Sequence, residues 1–85
     1  MNEMNISEYD FKKRPNADCN PRGEMINTLV DAKNICKNNK QCQGVIESNI
    51  SDSEGYYVCP TNATTLFGND IKTSLFEKII IGKIC

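Results

Sequence analysis

The chain has 85 residues, ten basic and eleven acidic side chains, and five cysteines, with no histidine and no tryptophan. A single domain of this length buries a small core and commonly needs disulfides, a metal or a partner to hold it. The near-zero net charge removes any broad electrostatic case for nucleic acid or an anionic membrane, and the longest aliphatic run, residues 79–81, is far short of a membrane span. Cysteine use at this density fits an oxidising compartment, so the chain is expected to be secreted or part of an ectodomain. The odd count leaves one thiol that is unpaired, bonded to another chain, or partnered outside this sequence. Residues 1–7 contain no apolar signal region, which leads us to expect a domain of a longer extracellular protein whose export signal has been removed.

In chain order, a first strand is expected over residues 7–14, where Tyr9 and Phe11 alternate with polar residues and Pro15 closes the run. Asn16, Asp18, Asn20, Pro21 and Gly23 then read as a loop, and residues 24–27 as a short strand with Met25 or Ile26 facing inward. A helix starts at Thr28, whose hydroxyl caps the backbone while Asp31 reaches back. Its spacing puts Ala32, Ile35 and Cys36 on one face and Lys33, Asn34, Lys37 and Asn38 on the wet side. Asn38 and Asn39 end it through a left-handed cap. Strands are expected at 43–48 and 55–59, separated by a polar turn. Residues 60–70 read as a loop, 73–81 as the last strand and 82–85 as a tail. The later connections are too short for crossover helices. The fold class is therefore α+β: an antiparallel sheet with a single helix on one face.

Without histidine the commonest general base is missing, and the cysteines read as structural. Asp10, Glu8, Asp52 and Glu54 form no convincing acid–base pair, and the glycines are scattered singly, so a non-enzyme without cofactor is expected. Zinc is disfavoured by the lack of a Cys-x-x-Cys pair, and the step from Cys36 to Cys42 suits a helix-to-strand bridge better. Residues 51–54 are too thinly acidic for calcium. Glycosylation sequons begin at Asn5, Asn49 and Asn62, each at a terminus or in an expected loop. Recognition is left as the function. Tyr56 and Tyr57 are adjacent in a strand, so one faces the core and the other is either a ligand anchor or a cross-strand packing residue. Lys12, Lys13 and Arg14 read as a solvated strand end or a contact for an anionic ligand. Phe67, beside Leu66 in the long loop, reads as a buried anchor or an exposed contact tip.

The segments 32–36, 42–46 and 56–59, flanked by 9–14 and 75–78, resemble a PAN/apple domain across about residues 6–81, most specifically in the central part. The resemblance implies a curled antiparallel sheet around one helix, stapled by disulfides, with the terminal strands paired and a helix cysteine, Cys36, bonded to Cys42 in the strand that follows. Members usually carry a second helix cysteine four residues earlier, bonded to the later strand; here that position is Ala32. Cys59 must then bond elsewhere, with Cys19 preferred and Cys85 the alternative. If Cys19 takes it, Cys85 is left as a free or interchain thiol, and a dimer through Cys85 is one expectation. The family binds proteins and carbohydrates in clotting and growth-factor proteins and in parasite adhesins, so adhesion or receptor recognition is what the resemblance implies. Three other readings remain: a secreted inhibitor or effector of a host protease or receptor, a disulfide-linked spacer, and a small intracellular zinc domain.

Overall fold

The computed structural model describes residues 6–84. Its elements are β1 (Ile6–Pro15), β2 (Ala17–Asn20), β3 (Met25–Ile26), α1 (Leu29–Lys37), β4 (Cys42–Ser48), β5 (Gly55–Pro60), β6 (Thr64–Phe67) and β7 (Ser74–Ile84). Five strands form one antiparallel sheet in the order β1-β7-β4-β5-β3, and β2 pairs with β6 in a second, two-stranded sheet. The protein is a small α+β fold, mostly antiparallel sheet with one short helix, held by two disulfides.

The larger sheet is the middle of three layers. Period-2 alternation sends Val45 and Val58 to one face, where they meet Ala32, Cys36 and Cys42, with Phe11 and Phe76 packed alongside. It sends Ile46, Cys59 and Leu75 to the other face, where they meet Ala17 and Cys19 of β2. One bridge serves each face. Cys36–Cys42 ties α1 to β4, and Cys19–Cys59 ties β2 to β5. Gly44 lies between β5 and β7, and a Cβ there would stand 2.7 Å from the Phe76 carbonyl oxygen and 2.9 Å from Leu75 Cδ1. Only a hydrogen fits.

The structure departs from the sequence reading at several places, each with a physical cause. Residues 17–20 are a strand rather than a loop. Ala17 N–H donates to Thr73 O, Thr73 Oγ1 donates back to Ala17 O, and the disulfide fixes Cys19, so tertiary contacts override the turn-forming residues. Within the expected loop 60–70, Thr64–Phe67 pairs with β2. The last strand runs on to Ile84 because β1 pairs with it that far, so 82–84 are not a tail.

In α1, Thr28 Oγ1 accepts from Asp31 N–H at 3.2 Å, as a capping threonine should. Ala32 and Cys36 are buried, but Ile35 is 40% exposed and does not share their face. Lys33 is not on the wet side; its ammonium lies over the Phe11 and Phe76 rings. Asn38 caps with φ −92° and ψ 2°, which is not left-handed. Instead Lys78, from β7, donates from Nζ to Cys36 O at 2.7 Å and Asn39 O at 3.2 Å. The cation adds to a cap that the asparagines also make: Asn38 Nδ2 donates to Asn34 O at 3.0 Å and Asn39 N–H to Cys36 O at 3.2 Å.

Candidate functional site

Tyr56 and Tyr57 point to opposite faces of β5, and both faces are covered. Tyr56 packs against the helix-side cluster and Tyr57 against the β2-side cluster. Of the two alternatives for the tyrosine turned away from the helix, packing is the one the geometry favours, because the second sheet covers that face. Tyr57 is held further: its hydroxyl donates to Ser53 O at 2.9 Å, and the Arg22 guanidinium stacks 4.8 Å from its ring centre. Arg22 also forks onto Asp18, with Nε and Nη2 each 2.9 Å from a carboxylate oxygen. Burial pushes the Asp18 carboxyl upward. The Arg22 hydrogen bonds and the Cys19 N–H outweigh it, and the net shift is below the ordinary carboxylate value. Tyr56 lines a groove of about 340 Å³ with Met25, Ile26, Asn49 and Glu54.

The basic run is divided between the two sides of β1. Arg14 donates from Nε to Glu77 at 2.6 Å, and Lys13 pairs with Glu47 at 3.6 Å, while Lys12 is exposed. Phe67 stands in β6 and is 61% exposed, with Leu66 at 40%, so the buried-anchor alternative is corrected: residues 64–67 form a strand pairing with β2 and leave both side chains outside. Asn49 and Asn62 are exposed in connecting segments. Asn5 and Cys85 lie outside the described residues.

What sequence reasoning missed is the seam between α1 and the β1–β7 ribbon. Tyr9, Phe11 and Lys13 alternate along β1, and Phe76 and Lys78 along β7, with Phe11 opposite Lys78 and Lys13 opposite Phe76. The ammonium groups stack on rings: Lys33 is 4.9 Å and Lys13 5.7 Å from the Phe76 centre, and Lys78 is 4.4 Å from that of Tyr9. Burial lowers the Lys78 pKa from the ordinary lysine value. Beside it a second groove, of about 370 Å³, is lined by Tyr9, Lys40, Gln43, Thr61, Lys78 and Ile80 among others. The period-2 alternation was readable in each strand; that the two strands lie side by side beneath the helix was not.

Among the described residues, no three His, Cys, Asp or Glu side chains gather where they could hold a metal. No helix among them is long and apolar enough to cross a membrane. No family model, curated protein or solved structure matches the chain.

Proposed function

We propose that the protein is a PAN/apple-like extracellular recognition module, binding a protein or carbohydrate ligand for adhesion or receptor recognition as one domain of a larger secreted or surface protein. The observation that carries this reading is the pair of disulfides, each tying a separate layer to one face of a single sheet. Bridges of this kind belong to an oxidising compartment and to small domains that hold a rigid surface outward. The helix-to-strand bridge and the paired terminal strands support the family resemblance. Cys19–Cys59 stands in for the bridge that Ala32 removes. On this reading the polar chemistry inside is structural, and the exposed Phe67, the two grooves and the sequons at Asn49 and Asn62 belong to the working exterior. With the other four cysteines bonded to one another, Cys85 is the thiol available for a bond to a second chain.

The test is saturable binding of the oxidised protein to cultured cells, before and after the cells are treated with proteases or glycosidases. Binding that is lost when the protein is reduced and alkylated is expected. Binding absent from every cell type tried, or equal for the reduced chain, would overturn the reading.

A further inference from the structure

Among the described residues β1 pairs with β7 alone and is the outermost strand of its sheet, whereas β3, at the opposite margin, is two residues long. Which backbone groups of β1 face outward follows from the ladder. Val58 N–H donates to Glu24 O and Val58 O accepts from Gly23 N–H, so Val58 turns its backbone toward β3 and Tyr57 toward β4. Carried through the Ile46–Tyr57 and Val45–Phe76 partners, the same alternation turns Leu75 and Glu77 toward β1. Their partners Arg14 and Lys12 therefore face β7, and Tyr9, Phe11 and Lys13 hold their N–H and C=O groups away from the sheet. Phe11 N–H agrees, since it donates to the side chain of its own neighbour, Asp10 Oδ1, at 2.8 Å. An edge of this length is a template for another strand.

The charges along β1 select the strand that fits. Glu8 and Asp10 precede Phe11, Lys12 and Arg14 follow it, and all four stand at even positions, hence on one face. We propose that β1 pairs antiparallel with β1 of a second copy about a two-fold axis at Phe11, joining the two sheets into one. Phe11 then exchanges both backbone bonds with its own counterpart, and Tyr9 falls opposite Lys13 of the second copy, a ring opposite an ammonium. Asp10 falls opposite Lys12 and Glu8 opposite Arg14, in the non-hydrogen-bonded pairs, whose side chains approach closest. Asp10 and Lys12 are exposed and make no ion pair among the described residues, so both charges are open to a partner. Two-folds at Tyr9, Asp10, Lys12 or Lys13 also keep the outward groups paired. They set Glu8 against Asp10, Asp10 against itself, Lys12 against itself, or Lys12 against Arg14, so like charges meet in each. Pro15 has no N–H to leave unpaired where the overlap ends. The two copies of Ile84, the partner of Ile6, then stand roughly 34 Å apart along the strands at about 3.4 Å per residue. The pairing is therefore a separate contact from any bond through Cys85, and it does not depend on the recognition reading.

The pairing is non-covalent. It is lost in denatured protein, where only an interchain disulfide holds two chains together, and it is read on native Cys85→Ser by sedimentation over a range of concentrations. A monomer–dimer equilibrium is expected. In that background Asp10→Lys or Lys12→Asp sets like charges opposite each other across the two-fold and should weaken association at least about tenfold. Mixing those two variants should restore it as a dimer of unlike chains, because each charge then meets its opposite. Asp52→Lys, an equal change of charge on the exposed connection between β4 and β5, should alter it less than about twofold. Hydrogen exchange at the Phe11 and Lys13 amides should slow as the concentration of Cys85→Ser rises, and should not do so once Asp10→Lys is added. A chain that stays monomeric up to about 1 mM leaves the edge to a foreign strand and overturns the proposal. A dimer indifferent to both charge reversals places the contact elsewhere and overturns it equally. Failure of cell binding would leave the pairing standing, and a strictly monomeric chain would leave the recognition module standing.

Discussion

Asp18 shows how a residue read as a turn former becomes part of the folded framework. It sits in β2, receives the Cys19 N–H at 2.7 Å, and is clamped by Arg22, whose other role is to cover the Tyr57 ring. Its pKa is lowered in the folded state, so it contributes stability above the unfolded carboxylate value, about 3.9, and that contribution is lost as pH falls through the lower folded value. Thermal unfolding followed between pH 2 and pH 6 should therefore show a falling melting temperature at the acid end. Asp18→Asn should be less stable at pH 6 and lose less on acidification. A mutant with an unchanged acid slope would mean that Asp18 is not the group responsible. Gly44 makes a second demand at this scale. With the Phe76 carbonyl oxygen 2.7 Å from where a Cβ would go, Gly44→Ala must spread β4 from β7. A loss of about 1–3 kcal/mol in urea unfolding is expected, the usual cost of forcing a methyl group into a filled interior. Neither constraint could be read from sequence, because both depend on which strand lies alongside.

At the scale of elements, β1, β3, α1, β4, β5 and β7 were legible because each carries its own signal: alternation, a capping threonine, or a β-branched and aromatic run. Two strands were not. Ala17–Asn20 is built from residues that favour turns, and it is extended because Thr73, Cys59 and β6 hold it. Thr64–Phe67 did carry a strand signal, two threonines followed by Leu66 and Phe67, but the turn formers around it concealed it. With those strands the face expected to be open became a second core, and Tyr57 changed from a candidate contact into a packing residue. The disulfides divide between the two cores in the same way. Cys19–Cys59 closes a separation of 40 residues and Cys36–Cys42 one of 6. Loop-closure entropy then gives about 4 kcal/mol for the first and about 2 kcal/mol for the second. Replacing Cys19 and Cys59 together by serine should abolish folding or nearly do so, whereas replacing Cys36 and Cys42 should leave the more stable of the two variants. Guanidinium titrations followed by circular dichroism would rank them, and the reverse order would show that strain or denatured-state structure outweighs chain entropy here.

For the whole molecule, charge and redox state are organised by the layers rather than by the chain. A basic run that looked local, Lys12 to Arg14, is split by strand alternation, while lysines from β1, α1, β7 and the segment after the helix converge on one seam. Composition reported only a net charge of −1, and no one-dimensional window could contain that convergence. Cysteine arithmetic is the opposite case, because a count fixed in the sequence becomes decisive once the pairing is known. Of five cysteines, four are consumed in two bridges, and the interchain bond proposed for Cys85 would use the fifth. Protein from an oxidising host, denatured and alkylated without reduction, should therefore give a covalent dimer carrying no alkyl group and any residual monomer carrying one. After reduction every chain should carry five, matching the cysteine count. Cys85→Ser should be monomeric and take up none before reduction. A Cys85→Ser chain that still dimerises would assign the interchain bond to a framework cysteine and unseat one of the two bridges. Five reactive thiols on the unreduced, folded protein would unseat both, and with them the oxidising compartment that the recognition reading requires.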